Sequence, residues 1–268
     1  MPMTEEERFR FDLAGFFVRP AILKTNEIDA IRHQIYLIKN NPEKLPKEER
    51  AVPGGASNIL IDHPAVVDVI EEIIGPDFRL ENSNCVWREK GEEHGELHGG
   101  GPKQIDPIFG YRVQNDRIYA GMVRVIFEFT EIDEEDQSTH FVIGSHKANF
   151  PMHPDHLSLE SGKRSEFLFS YACPAGSAVF FTENICHAGP KWNRLEPRVT
   201  VLHAYSHLAT HWHRMMTPPE VLSGLPREKQ AYFREPWIAD FRTSPATINT
   251  AERFIGNNET TVDSDTTP

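Results

Sequence analysis

The N-terminal part of the chain places apolar residues three and four positions apart, which is the spacing of helices. Isoleucines recur in this way over residues 25–40, and valines and isoleucines form a broad apolar face over residues 64–74. A Gly-Pro pair ends the second segment, because neither residue continues a helix easily. Thr4 followed by Glu7 is the signature of a capping box. We therefore predict three helices here, the first of them starting near Thr4.

Beyond Gly75 the pattern changes to short apolar and aromatic runs that are bounded by glycine, proline, aspartate and asparagine. The predicted strands, together with an earlier one at 16–18, cover residues 78–80, 85–87, 119–129, 141–143, 167–171, 178–181 and 199–205. Short strands at this spacing favour an antiparallel sandwich or barrel over alternating βαβ units. The predicted fold class is therefore mainly β with flanking helices.

Length and charge narrow the classes of protein further. The 268 residues suit one domain, since all-β barrels often reach 200–250 residues as a single unit. Forty acidic against 28 basic residues give a net charge of −12, which argues against nucleic acid or an anionic membrane as partner. No long apolar run and no basic leader is present, so we expect a cytoplasmic protein. A polar stretch at 244–268 predicts a flexible tail after a single domain at 1–243.

Histidine stands out in the composition. The three cysteines are far apart and form no CxxC pair, which makes a disulfide framework or a thiolate zinc site improbable. The thirteen histidines include several beside glycine or acidic residues. This excess directs the search for function toward a metal site.

Four segments combine histidine, glycine and charged residues. They are Glu92–Gly101, Ile143–Lys147, Pro174–Glu183 and Cys186–Pro190, the last followed by Asn193 and Arg198. Together they resemble the phytanoyl-CoA dioxygenase-like family of Fe(II)/2-oxoglutarate-dependent oxygenases, over about 240 residues. The run Gly144-Ser145-His146-Lys147 and the spacing from His187 to Arg198 are the most specific parts. The chain departs from the family where Ile143 replaces a proline and Ser177 an aspartate that is often present.

The resemblance implies a double-stranded β-helix, a jelly-roll or cupin-like core, at about residues 78–206. It also implies Fe(II), 2-oxoglutarate and O2, with His98 and His187 as metal ligands. Two histidines and a carboxylate on one face of the iron leave positions for co-substrate and oxygen. Arg198 would pair with the far carboxylate of 2-oxoglutarate, because the guanidinium fork matches a carboxylate. Asn193 and Trp87 are further candidates for binding the cofactor.

Gly100 is the main departure from the family pattern. Members commonly read His-x-Asp, whereas this chain reads His98-Gly99-Gly100, with glycine in the position of the carboxylate. Such a His-x-Gly variant resembles the halogenases, in which chloride takes the vacated coordination site. A halide restores both the ligand atom and the negative charge that glycine removes. The resemblance therefore adds chloride to the expected cofactors.

Three alternatives for the proximal ligands stay open. His94 and Glu96 form a literal His-x-Glu, so a shift of four residues would restore an ordinary triad. The only literal His-x-Asp, at 153–155, lies on a late segment that does not suit this barrel. A carboxylate from elsewhere, such as Asp106, could complete the set.

Arg124 interrupts the predicted strand at 119–129 and has two interpretations. Its side chain lies on a solvated face, or it lines a cavity and meets an anionic substrate or co-substrate. In the second case Arg124 joins Gly100 as a candidate catalytic position. Residues that could line the mouth of the barrel are Trp87, Arg88, Tyr111, Arg117 and Tyr119.

The remaining histidines have simpler interpretations. We expect His146 to fix a turn by hydrogen bonding rather than to bind a metal. A surface cluster, not a ligand ladder, is predicted for His203, His207, His211 and His213.

Two classes of function follow. The first is oxidation of an sp³ C–H bond of a small-molecule substrate, with halogenation narrowly favoured over hydroxylation with Glu96 or water as third ligand. The second is a catalytically inactive barrel that binds a ligand. The presence of His187 and Arg198 argues against an inactive barrel, because folding alone requires neither residue. Since a fold does not define a function, the substrate is not identified at this stage.

Overall fold

A computed structural model describes residues 1–99, 108–150, 159 and 165–236. Its helices are α1 (Glu5–Ala14), α2 (Thr25–Asn40), α3 (Pro64–Ile74), α4 (Pro219–Gly224) and α5 (Arg227–Gln230). Its strands are β1 (Phe16–Arg19), β2 (Phe78–Arg88), β3 (His94–Gly99), β4 (Arg112–Gln114), β5 (Arg117–Tyr119), β6 (Met122–Glu128), β7 (His140–Val142), β8 (Leu168–Phe169), β9 (Ser177–Thr182), β10 (Cys186–Gly189) and β11 (Arg198–His207).

The predicted helices form where the apolar spacing placed them. Thr4 and Glu7 make the capping box at the start of α1, with the Thr4 hydroxyl accepting from the Glu7 backbone and the Glu7 carboxylate from Thr4. The buried face of α3 consists of Val66, Val69, Ile70, Ile73 and Ile74. None of the helices within the described ranges is long and apolar enough to cross a membrane.

Two antiparallel sheets make up the core. The larger has the strand order β1-β9-β6-β11-β2 and the smaller β3-β10-β7-β8, while β4 and β5 form a separate hairpin. The chain passes from one sheet to the other at nearly every step from β2 to β11, which is the winding of a double-stranded β-helix. The predicted jelly roll with flanking helices is therefore confirmed. Its core extends from the start of β2 to the end of β11.

The two faces of the larger sheet contribute to two separate apolar clusters. Val123, Val125 and Phe127 of β6 pack with the helices on one face, whereas Ile126 faces the smaller sheet with Phe141. Successive strand residues point to opposite faces, so each strand supplies both clusters. The space between the sheets is where the site described below lies.

The structure differs from the predicted strands at several places. Residues 78–88 form one strand rather than two, because polar residues in its middle are still paired along β11. The His/Gly-rich segment, expected as a loop, forms β3. The predicted strand at 119–129 breaks at Gly121, where a Cβ would lie 2.2 Å from the Ile108 carbonyl oxygen. The predicted tail at 244–268 lies outside the described residues.

Candidate active site

His98 and His187 face each other across two neighbouring strands of the smaller sheet. They are register partners in the pairing of β3 with β10, and their ring centres are 4.4 Å apart. The Nδ1 atom of His98 lies 2.6 Å from the Glu96 carbonyl oxygen, and that of His187 lies 2.8 Å from the Ile185 carbonyl oxygen. A carbonyl oxygen only accepts, so both Nδ1 atoms carry hydrogen and both Nε2 atoms keep a lone pair.

This arrangement fits a divalent metal ion. Imidazoles that bind one ion at about 2.1 Å in adjacent coordination positions have ring centres roughly 4.5 Å apart. The backbone carbonyls fix the tautomer of each ring, as partners of metal-bound histidines do. Burial is the largest influence on His187 and lowers its pKa, which favours the neutral imidazole that a metal requires. The two histidines can therefore supply two ligands on one face.

A third ligand is not found in the part of the chain that the structure describes. No group of three or more His, Cys, Asp or Glu side chains there is close enough to hold an ion. Glu96 and His98 are both exposed in β3, and their spacing of two places them on the same face of the strand. Opposite His94 in the register stands Gly189 rather than His187, which favours His98 as the second histidine. The other residues considered for the ligand set lie outside the described residues, namely Gly100, Asp106, His153 and Asp155.

Arg124 is half-buried and paired with a carboxylate, so it does not lie on a solvated face, and its contact with an anionic substrate stays a prediction. It lies at the end of the barrel near His187, and its Nε donates to Glu183 Oε2 at 2.5 Å. Its Nη2 lies 3.2 Å from His213 Nε2, and His213 Nδ1 lies 2.9 Å from Glu81 Oε1. Glu183 is close enough to His187 for their charges to interact. Arg124 therefore holds Glu183 beside the histidine pair.

Glu81 ends this chain of contacts in the ionised state. Burial alone would raise the pKa of Glu81, but hydrogen bonds from His213, Ser206 and the Trp212 backbone lower it to about 2. The predicted surface cluster of histidines is consequently wrong in part. His203 is completely buried and His213 is half-buried, because strand alternation and the Glu81 carboxylate draw them inward.

Arg198 lies at the other end of the interior and is already paired. Its Nη2 donates to Glu128 Oε1 at 2.5 Å and its Nε to Oε2 at 3.2 Å. The same Nη2 contacts the hydroxyl groups of Tyr171 at 2.8 Å and Thr139 at 3.1 Å. Burial opposes the charge of Arg198, yet Glu128 raises its pKa above the usual value. Arg198 therefore lies in the interior, where it is paired with Glu128, a carboxylate that the sequence did not lead us to expect.

Arg88 stands directly opposite Arg198 in the register of β2 and β11. Its Nη1 donates to the Pro190 carbonyl oxygen at 3.0 Å and its Nη2 to the Gln137 carbonyl oxygen at 3.1 Å. A small cavity between the sheets is lined by Val86, Arg88, Ile126, Thr139, Arg198, Thr200 and Leu202. The two arginines therefore give one end of the interior a positive character.

Trp87 and Asn193 lie elsewhere than their predicted role requires. Trp87 is on the opposite face of β2 from Arg88, where its ring packs 5.8 Å from that of Tyr36. Asn193 is exposed and braces a loop, accepting from the Gln137 backbone and donating to the Glu135 carbonyl oxygen. The alternation of β2 explains the first difference, since Arg88 rather than Trp87 faces the cavity.

His146 has the structural role that was expected of it. Its Nε2 lies 3.1 Å from the Asp12 carbonyl oxygen, and its ring contacts Tyr111 edge to face. Tyr111 in turn donates to the Asp12 carboxylate at 2.6 Å. The Gly-Ser-His-Lys turn therefore anchors α1 to the barrel and is not part of the metal site.

Sequence reasoning assigned no individual role to two acids of the barrel, although one of them ends the segment 174–183 that was singled out. Glu128 and Glu183 each sit at or just after the end of an apolar strand, where a charged residue also suits a solvated turn. One signal could have indicated Glu128. Arg124, Ile126 and Glu128 are spaced by two and therefore share one face of β6. Only the pairing with β11 shows that this face is the interior.

The fold is shared with solved structures that contain iron or nickel, some of them together with 2-oxoglutarate. HygX from Streptomyces hygroscopicus, solved with nickel and 2-oxoglutarate bound, is 20% identical with a TM-score of 0.65, covering 79% of this chain and 90% of HygX. The epimerase SnoN, solved with Fe3+, alpha-ketoglutarate and nogalamycin RO, is 16% identical with a TM-score of 0.53, covering 76% and 84%.

The non-heme monooxygenase ThoJ, solved as a nickel complex, is 17% identical with a TM-score of 0.52, and the match covers 75% of this chain and 76% of ThoJ. No family model matches the sequence, and no curated protein matches it. These similarities establish the jelly-roll fold of this chain.

Proposed function

We propose that the protein is an Fe(II)/2-oxoglutarate-dependent oxygenase that oxidises an sp³ C–H bond of a small molecule. The observation that carries the proposal is the pair His98 and His187, in register on adjacent strands with a lone pair on each Nε2 atom. The positively charged end of the interior gives it a second support, because 2-oxoglutarate is a dianion. HygX, SnoN and ThoJ share this fold and were solved with iron or nickel.

The chain's own residues would hold and orient the reactants. When bound, iron would couple the reduction of O2 and the decarboxylation of 2-oxoglutarate to oxidation of the substrate. His98 and His187 would supply imidazole ligands, each oriented by a backbone carbonyl. Phe141 and Phe181 place apolar rings against His187 and exclude water from that side. Arg198 and Arg88 would receive the distal carboxylate of 2-oxoglutarate.

Turnover of 2-oxoglutarate tests the oxygenase against the inactive barrel. With iron and O2 present, we expect the protein to form succinate, and His187→Ala to abolish both succinate formation and metal binding. Lys39→Ala, a change of an exposed residue on α2, serves as the control. If no metal and no 2-oxoglutarate bind to the wild-type protein, the barrel is a binding module.

We further propose that Gly100 leaves a coordination site for chloride, so that the enzyme chlorinates its substrate rather than hydroxylating it. The support is the sequence His98-Gly99-Gly100 together with a described donor set of only two histidines. An open site is necessary but not sufficient for halogenation, since water can also fill it.

Chloride itself is the first probe of this proposal. Anaerobic titration of the iron- and 2-oxoglutarate-loaded protein with chloride should give a saturable change in the visible absorption. Gly100→Asp should abolish this change, because the new carboxylate would exclude the halide. If Glu96 is the third ligand instead, Glu96→Ala will lose iron while Gly100→Asp has little effect. Mass spectrometry of a product formed with and without chloride then distinguishes chlorination from hydroxylation.

The substrate is proposed to be a small molecule. One HygX structure contains hygromycin B and one SnoN structure contains nogalamycin RO, so similar folds accept organic molecules beside the metal and co-substrate. An aromatic pair at residues 109 and 212, with ring centres 5.4 Å apart, is the kind of surface on which such a molecule could rest.

A further inference from the structure

Among the residues that the structure describes, the inner end of the barrel carries more positive than negative charge. Arg88 and Arg198 stand opposite each other on β2 and β11, and Glu128 on β6 is the carboxylate paired with Arg198. Both carboxylate oxygens of Glu128 accept from Arg198, and the Tyr171 hydroxyl also donates to Oε1 at 2.5 Å. Burial raises the pKa of Tyr171 well above its usual value, so the phenol stays neutral. One positive charge is therefore left over.

That charge belongs to Arg88. Its side chain is buried, with a relative exposure of 2%, and its hydrogen bonds to described residues go to the neutral carbonyl oxygens of Pro190 and Gln137. Among the residues that the structure describes, no carboxylate lies within 4.0 Å of it. Burial first and the neighbouring Arg198 second lower its pKa to about 10, which still leaves it charged at neutral pH. An unpaired buried charge costs several kcal/mol, and an anion that binds beside it would offset this cost. The charge of Arg88 therefore favours the binding of an anion.

The cavity beside Arg88 has the chemistry of a carboxylate site. The cavity is lined by the guanidinium groups of the two arginines and the hydroxyl groups of Thr139 and Thr200. Ile126 and Leu202 supply apolar walls. A short aliphatic chain that ends in a carboxylate matches this combination. Glu128 cannot leave Arg198 without exposing a second unpaired charge, so Arg198 keeps its partner when the anion arrives.

We infer that Arg88 is the principal cation for the distal carboxylate of a 2-oxo dicarboxylic acid, and that Glu128 is a positioning residue that holds Arg198 as the side wall of the same site. The inference rests on the proposed function and deepens it. It shifts the main electrostatic contribution from Arg198, the residue indicated by sequence, to its neighbour on the paired strand. Glu128 gives Arg198 a fixed orientation, since a bidentate pair fixes the plane of the guanidinium.

Binding of two related acids to the manganese-loaded protein tests the assignment. Isothermal titration under anaerobic conditions would compare 2-oxoglutarate with 2-oxopentanoate, which has the same carbon chain but lacks the distal carboxylate. Arg88→Met should weaken 2-oxoglutarate by about 30-fold, the loss expected for a charge-assisted contact. It should change binding of 2-oxopentanoate by less than about 3-fold, because only the distal carboxylate meets Arg88. The affinity of Arg88→Lys for 2-oxoglutarate should lie between that of the wild type and that of Arg88→Met, since a point charge lacks the fork of the guanidinium group.

Stability separates a binding role from a structural one. Without ligand, Arg88→Met should unfold at the same or higher denaturant concentration than the wild type, because it removes an uncompensated charge. Arg198→Met should unfold at a lower denaturant concentration than the wild type, since it leaves the buried carboxylate of Glu128 without a cation. Arg10→Met, a change at an exposed position on α1, is the matched control for both measurements.

The outcomes are distinct. If wild-type protein binds 2-oxoglutarate and Arg88→Met binds it equally well, the role of Arg88 is overturned while the proposed function stands. If both acids lose affinity equally, Arg88 acts on the fold and the inference is also overturned. If manganese-loaded wild-type protein binds neither acid, the proposed function itself fails. Arg88→Gln, a shorter but polar and neutral variant, carries the same comparison if Arg88→Met does not fold.

Discussion

Glu128 shows how a single residue governs the charge balance of this barrel. It is completely buried at the end of β6, where it holds Arg198 and accepts from Tyr171. A buried pair contributes little net stability, but removing one partner leaves the other charge without compensation. The ion pair itself therefore stabilises the fold little, but loss of Glu128 would leave the buried charge of Arg198 without a partner.

Glu128→Gln should lower the free energy of unfolding by about 3–5 kcal/mol, because Arg198 then stays buried without a carboxylate. Denaturant unfolding at pH 7 measures this change. Glu196→Gln is the control, since Glu196 pairs with Arg32 at 3.1 Å on a much more exposed surface. That change should cost less than about 1 kcal/mol. Equal losses in the two variants would mean that the interior pair is not electrostatically isolated.

At the scale of elements, the turn between α1 and β1 is fixed by packing against the barrel. Gly15 caps α1 with φ of +86° and lies close to the Gly-Ser-His-Lys turn. A Cβ there would lie 2.7 Å from His146 Nδ1 and 2.9 Å from Ile185 Cδ1. Gly144 also has a left-handed φ, of +77°, but a Cβ on it would meet nothing within 4 Å.

These two glycines separate backbone strain from steric collision. Gly144→Ala should cost about 1–2 kcal/mol, the strain of an L-residue in the left-handed region. Gly15→Ala should cost about 2–5 kcal/mol, because displacement of His146 and Ile185 adds to the same strain. Thermal unfolding of both variants beside the wild type provides the comparison. Equal effects would show that the α1 junction yields without resistance.

For the whole molecule, buried histidines make stability depend on pH. Burial lowers the pKa of His203 from 6.5 to about 3 and that of His146 from 6.5 to about 4. Between those values and 6.5 the unfolded chain binds protons that the folded chain does not. The stability contribution of each histidine is therefore fully present above pH 6.5 and is lost as the pH falls toward its folded pKa.

Between pH 6 and its folded pKa, each of these histidines should lower the free energy of unfolding by about 1.4 kcal/mol per pH unit. His203→Gln, which does not titrate, should make the decline between pH 6 and 4 shallower by that amount. Denaturant unfolding at several pH values measures the slopes. His211→Gln is the control, because His211 is exposed. A slope that is the same in His203→Gln and the wild type would contradict this assignment.

The sequence by itself determined the class of fold and part of the site. Apolar spacing located α2 and α3, short β-prone runs predicted an antiparallel β core, and the motifs around His98 and His187 identified a candidate metal pair. The helices and the β core follow from local periodicity, and the metal pair follows from the resemblance of its motifs to a known family, so neither depends on how the strands are paired. The proposed third coordination position at Gly100 stays a prediction from sequence.

Only the tertiary structure decided which residues share the interior. The pairing of β2 with β11 sets Arg88 against Arg198, and the pairing of β6 with β11 brings Glu128 to the same place. A shift of one residue would have turned Trp87 inward and Arg88 outward. Register is set by the packing of distant segments against each other, so no local pattern shows which of two adjacent residues faces the cavity. The balance of charge in the barrel is therefore a property of the paired strands.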